Sequence, residues 1–211
     1  MKTKIILIAG FAAMLLIPRE LQAQLKLGVH AGMNLETQAE LGTLWNNCEI
    51  YPGFLLGGFL EIGAGKHISL QTELNYQKKG EKVNSSIEGA EATTKREFNY
   101  LSVPVLIREN IHNAGLGEKW DLTFFAGPYA GYLVSAKSKM SVGDETSNQD
   151  IEDQVEKSDF GAIFGGGVKY KLLNGNAISA ELRYEMGLAK VDKQDPDIRN
   201  KGIGLTIGYS F

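Results

Sequence analysis

Cysteine is almost absent from this chain. Cys48 is the only one among 211 residues, so no intrachain disulfide can form even along an oxidising export route. Histidine is scarce too: His30, His67 and His112 fall in three separate segments, without the spacing of a metal-ligand pair. No Gly-x-Ser-x-Gly elbow occurs. The glycine-rich "GAIFGGG" (residues 161–167) lacks the Lys-Ser/Thr that a phosphate loop needs before its helix. No catalytic residue, cofactor or metal is therefore expected, and the chain is read as a non-enzyme. An excess of basic charge is also missing, since the formal net charge is −3. That argues against a nucleic-acid partner, whose electrostatic footprint would be basic. Finally, no long apolar run follows the first residues. Any crossing of a membrane must then be made by strands, because only helices and closed barrels satisfy their backbone in lipid.

What is there begins with an export signal, expected over residues 1–23. Lys2 and Lys4 precede an apolar run at residues 5–17, and "LQAQ" places the small Ala23 before Gln24. The run is short of the ~20 residues of a spanning helix; an uncleaved anchor is the alternative. No cysteine follows it to carry a lipid. Loss of Lys2, Lys4, Arg19 and Glu20 takes the formal charge from −3 to −5. Residues 24–211 suit a single domain.

Glycine is abundant at 25 residues and is not confined to loops. Period-two alternation marks eight segments of roughly ten residues: 25–33, 53–62, 67–78, 99–110, 120–133, 159–171, 177–188 and the closing 202–211. The last sets Ile203, Leu205, Ile207, Tyr209 and Phe211 against Gly202, Gly204, Thr206, Gly208 and Ser210. The second is the least clean, with Leu55 and Phe59 on its polar side. Links after the odd segments (34–52, 79–96, 134–158 and 189–200) are long and polar. "GAGK" and "LLNGN" are short, and "ENIHNAGLGEK" is intermediate. An even strand count with long connections at one end and shorter ones at the other is the pattern of an all-β, eight-stranded antiparallel up-and-down transmembrane β-barrel.

The same alternation turned inside out would fit a soluble, lipocalin-like periplasmic carrier of an apolar ligand. Three features favour the membrane. The polar face of the last three segments is small, as the crowded interior of a narrow barrel requires. Aromatic residues on the apolar face gather near segment ends: Trp120, Tyr170, Tyr209 and Phe211 at the short-turn end, Tyr76, Tyr132 and Phe160 at the other. Two interfacial girdles would be built this way, with Tyr184 a mild exception. Third, the terminal strand ends on an aromatic, Phe211, which resembles the insertion signal of bacterial outer-membrane barrels.

With the strands placed, the chain resembles the outer-membrane β-barrel domain family common in Bacteroidetes, the PorT-like group. The residues that carry the resemblance are "YPGFLLGGFLEI" (51–62), "SLQTELNYQKKG" (69–80), "NYLSVPVLIR" (99–108) and "GIGLTIGYSF" (202–211). It spans the mature chain and implies an eight-stranded barrel in the cell outer membrane. PorT itself is tied to secretion and gliding machinery, and a component of an export or envelope-assembly machine is the alternative role this allows. The expected partners are outer-membrane lipid and lipopolysaccharide, with a monomer as the expected state.

The register sends Lys26, Glu61, Glu73, Arg108, Asp121, Lys169, Glu181, Arg183 and Glu185 into the lumen. Both signs occur, and buried charges must pair to offset desolvation. A salt-bridged plug is expected, with a narrow gated ion path as the sharper alternative and no large pore. The acidic run "DETSNQDIEDQVEKSD" (144–159) reads as a solvated loop, and Cys48 as a residue outside the cell. Pro104 interrupts an alternating segment. Its missing N–H must be made good by a water, by a luminal side chain or by a bulge, in a ladder loosened jointly with Pro128.

Overall fold

The computed structural model describes residues 25–40, 51–87, 90–112, 115, 117–142, 145–191, 193 and 198–211. The expected signal segment and Cys48 lie outside the described residues. Among the described residues there are nine antiparallel strands: β1 (Leu25–Glu40), β2 (Tyr51–Gly63), β3 (Ile68–Ile87), β4 (Ala90–His112), β5 (Trp120–Val142), β6 (Glu145–Asp150), β7 (Ser158–Lys171), β8 (Ala177–Gly187) and β9 (Ile198–Ser210). Eight of them close a ring, because β4 pairs with β5 while β9 pairs with β1. The added strand, β6, pairs only with the far end of β5. Among the described residues, no helix is long and apolar enough to cross a membrane.

Two of the links read as long polar loops, 79–96 and 134–158, are largely strand. Residues 79–87 and 90–96 pair as a continuation of the β3–β4 hairpin, and β5 runs on to Val142. These extensions lack apolar alternation because neither of their faces meets lipid. The short turns need backbone that glycine supplies: Gly65 and Gly175 sit at φ of 111° and 87°, the left-handed region other residues avoid.

Apolar side chains point out of the ring. Leu27, Val29, Leu56, Leu74, Val103, Phe164, Leu182, Leu205 and Ile207 are all exposed, while the alternate residues fill the interior. On β7, Phe160 and Tyr170 stand ten residues apart, which is ~33 Å at ~3.3 Å per residue. At a strand tilt of ~40° they mark an apolar band ~25 Å tall. Trp120 packs against Tyr170 with 4.8 Å between ring centroids, and Tyr209 against Phe211 at 5.1 Å. The closing strand is held to its end: the Phe211 N–H donates to the Leu27 carbonyl at 2.8 Å.

Pro104 is fully buried in the lumen, between the buried Ser102 and Leu106. The ladder is interrupted around it without a change of register. Pairing with β3 passes from Thr72↔Val105 directly to Asn75↔Ser102, and pairing with β5 from Pro104↔Tyr129 to Ile107↔Ala126. The Thr72 hydroxyl, on the outward face, donates to the Pro104 carbonyl at 3.4 Å, which gives that carbonyl a donor where the ladder lapses without replacing the N–H that proline lacks. A bulge exists, but higher up: Asn99 faces Ser135 whereas Tyr100 faces Leu133, which leaves Val134 over.

Candidate functional site: the luminal network

The lumen is filled in tiers. Lowest, at the short-turn mouth, the buried Asp121 meets Lys171 at 2.7 Å and His112 at 2.8 Å. Just inside, Lys169 pairs with Glu61 at 3.0 Å, and Glu61 also accepts from Ser69 at 2.7 Å. Asn110 donates to Ser69, and Thr123 to Asn110, at 3.2 and 3.0 Å. A cavity of about 460 Å³ opens below this tier, with Lys26 on its wall. Lys26 itself is exposed.

The middle tier turns on Arg183. Its two terminal nitrogens grip both oxygens of Glu73 at 2.8 Å each, the planar two-point geometry a guanidinium is shaped for. One of them also reaches Glu181 at 3.0 Å, and Arg108 closes on the other Glu181 oxygen at 2.5 Å. Gln71 and Asn75 add donors to Glu73 at 2.6 and 2.8 Å. His30 is hydrogen-bonded to Asn75 at 2.7 Å. The Phe125 ring lies under both guanidiniums, 4.8 Å from Arg108 and 5.3 Å from Arg183. Cation–π attraction strengthens in so desolvated a setting, and the ring covers Arg108 nitrogens that have no hydrogen-bond partner.

Above this, Lys79 is 1% exposed and is paired with Glu185 and, at 2.9 Å, with Asp159. Asp159 also accepts from Tyr129 and Asn200 at 3.3 and 3.1 Å, and Gln77 donates to Glu185 at 3.0 Å. Lys79 lies over the Tyr129 and Tyr100 rings, 4.9 and 5.3 Å from their centroids. Every luminal charge named from the sequence is thus buried except Lys26. Lys79 and Asp159 join them. Lys79 escaped because "KKGEK" reads as the start of a polar loop, although it lies two residues beyond Gln77 on the same face.

The long-loop mouth is closed by an apolar cluster. Phe98, Tyr100, Leu133 and Ala136 from the wall meet Ile151, Val155 and Val191. The acidic run is therefore not wholly solvated: Ile151 and Val155 turn into the mouth. Backbone bonds fasten it, from Ile151 to the Ala136 carbonyl at 3.1 Å, from Leu133 to that of Lys157 at 2.7 Å and from Glu156 to that of Val191 at 2.9 Å. Outside this cluster, Lys78 pairs with Glu97 at 2.9 Å, and Tyr51 donates to the same carboxylate. Burial alone would raise the Glu97 carboxyl, but Tyr51 and Lys78 outweigh it and hold it below the usual carboxylate range. A carboxyl lowered in this way stabilises the fold above its ordinary pKa, and the gain disappears as pH falls through the lowered value. Glu97 is partly exposed, so solvent screening keeps the gain below ~1 kcal/mol. Glu97→Gln should lower the thermal unfolding midpoint slightly at pH 7, and the difference between variant and wild type should shrink as the pH falls through the lowered value.

A closed antiparallel ring with lipid-facing apolar residues, aromatic girdles and a charge-filled lumen defines a small outer-membrane barrel. The family model of the outer membrane protein beta-barrel domain matches residues 11–193. The chain belongs to that family and resides in the outer membrane, which sets aside the soluble periplasmic carrier weighed from the sequence. No curated protein matches the chain by sequence. Among solved structures it is similar to the attachment invasion locus protein Ail of Yersinia pestis, at 16% identity over 88% of this chain and 98% of that one, with a TM-score of 0.40. Neisserial surface protein A is similar at 12% identity, over 88% and 97% of the two chains, with a TM-score of 0.49. For the N-terminal barrel domain of Pseudomonas aeruginosa OprF the values are 14%, 86%, 97% and 0.38. Likeness at this level says nothing of role.

Proposed function

We propose that this protein is a closed outer-membrane barrel whose role is structural or one of surface interaction, with no catalytic activity and no large pore. The observation that supports this most is the filled lumen: three tiers of paired side chains under an apolar cover, in a ring whose eight strands leave room for side chains only. What the fold offers instead is the sheet that β3, β4, β5 and β6 build beyond the long-loop mouth. On this reading that sheet faces the exterior and the short turns face the periplasm.

Topology is tested by labelling. In a Cys48→Ser background, a cysteine placed at the exposed Ser147 in β6 should react with a membrane-impermeant maleimide on intact cells. One placed at Asn174, in a short turn, should react only after permeabilisation. The reverse pattern would overturn the reading. The PorT-like segments 51–62, 69–80, 99–108 and 202–211 support a second role, a component of a secretion or envelope-assembly machine. Recovery of a stoichiometric envelope complex on mild-detergent purification would favour it over the first.

A further inference from the structure

One luminal carboxylate takes no part in the ion pairs. Glu36, on β1 beside Gln77 and Glu185, is 2% exposed. Its Oε1 accepts from the Asn34 amide at 2.7 Å and from Gln77 at 3.4 Å, while its Oε2 has no donor. Asn34 turns its NH2 to Glu36 and, at 3.0 Å, to the Lys78 carbonyl, which leaves its own amide oxygen without a donor as well. Both residues line a void of about 20 Å³, together with Gln77, Arg183, Glu185 and Gly202. Gly202 opens the space at the orphaned oxygen, since a Cβ there would stand 2.5 Å from Glu36 Oε2. The volume admits one water, or one ion stripped of its water shell.

Charge decides between the two. Around the void and in the Arg183 tier, the carboxylates Glu36, Glu73, Asp159, Glu181 and Glu185 are buried with only the cations Lys79, Arg108 and Arg183. Lys79 is shared by Asp159 and Glu185, and Arg183 is taken by Glu73 and Glu181. His30, 3.9 Å from Glu73, would narrow the gap when protonated without closing it. Lys201 lies opposite Thr37, on the other face of β1 from Glu36. After Gln24 every lysine, arginine and histidine of the chain is among the described residues, so no further cation makes up the difference. Lys2, Lys4 and Arg19 precede Leu25, which is ~36 Å along the strand from Glu36, at the short-turn end. A water joining the unpartnered Nε–H of Arg183 to Glu36 would satisfy both groups but leave the excess negative charge in place. Buried charges are paired or coordinate a metal.

We propose that Glu36 and Asn34 bind a monovalent metal cation, sodium, in this void. A carboxylate and an amide oxygen are the ligands of a hard cation. Among the described residues no three of His, Cys, Asp and Glu are placed together to hold a metal, which is not the donor set of a transition-metal or multi-carboxylate calcium site. Magnesium keeps several of its waters, and the void has no room for them.

The test compares the purified, folded full-length protein in sodium chloride and in choline chloride of equal ionic strength. The readout is the urea midpoint for loss of heat-modifiable migration. An ion that binds only the folded state raises the folded-to-unfolded ratio ~tenfold when present at about ten times its dissociation constant. Sodium should therefore raise the wild-type midpoint above its value in choline. Glu36→Gln, which keeps the shape of the side chain, should have the same midpoint in both salts. Glu97→Gln, outside the lumen, should keep the sodium gain. Equilibrium dialysis against radioactive sodium should find about one ion retained per wild-type barrel, a readout that stands even if Glu36→Gln fails to fold. Equal wild-type midpoints in the two salts, with no ion retained, would leave only a water in the void and overturn the site. A sodium gain that survives Glu36→Gln would place the ion elsewhere. A gain from calcium or magnesium but not from sodium would overturn the monovalent assignment.

Discussion

Arg183→Met is expected to destabilise the barrel by ~3–5 kcal/mol, the range seen when one partner of a buried ion pair is removed. Among the described residues, Arg183 is the one cation paired with both Glu73 and Glu181. Without it Glu73 keeps the neutral donors Gln71 and Asn75 and a longer 3.9 Å contact to His30, and Glu181 keeps its pairing with Arg108. Two carboxylates would then share a lumen too narrow for bulk water. The measurement is the urea midpoint for loss of heat-modifiable migration, or of tryptophan fluorescence, in detergent. Arg183→Met combined with Glu73→Gln should recover most of the loss, since it removes the orphaned charge along with its partner. A double variant as unstable as the single one would show that packing, not charge, sets the penalty. A single variant within ~1 kcal/mol of wild type would contradict the network account altogether.

Gly165→Ala should be strongly damaging for a change of a single methyl. A Cβ there would stand 2.2 Å from the Phe125 ring and 2.5 Å from the Leu182 carbonyl oxygen. The ring has little room to retreat, because Arg108 and Arg183 both lie over it. Overpacking of this kind costs ~1–3 kcal/mol, and the upper end applies where the neighbours are themselves ion-paired. Phe125→Leu in the Gly165→Ala background should restore part of the loss by shortening the obstructing side chain. Equal stability of Gly165→Ala and wild type, within about 0.5 kcal/mol, would mean that the lumen is looser than its contacts imply.

Much of this interior was legible in the chain. Period-two alternation located all eight ring strands and assigned their faces, because one face meets lipid and the other a polar lumen. Glycines such as Gly165 and Gly202 fell on the inner face, where Phe125 and Glu36 leave no space for a side chain. The signal ended where lipid ended. In "KKGEKVNSS" and "EATTKREFN" both faces carry polar residues, so alternation stops before β3 and β4 do and Lys79 reads as part of a loop. The extra Val134 reverses parity within β5, which no counting by twos can follow. Ile151 and Val155 were the visible trace of the mouth cover, two apolar residues four apart in an acidic run, but their destination depends on contacts with Phe98 and Leu133 far away in sequence. The break at Pro104 was foreseeable from its missing N–H. Thr72 as the donor to its carbonyl was not, since β3 and β4 had first to be in register.

The central claim, that paired side chains close this barrel, is tested most directly by planar-bilayer recording with the purified, folded protein. The account predicts no stable conductance of porin size, and none for Lys26→Gln, whose side chain lies at the open short-turn mouth below the paired tiers. Long-lived porin-size openings from wild-type protein would contradict it.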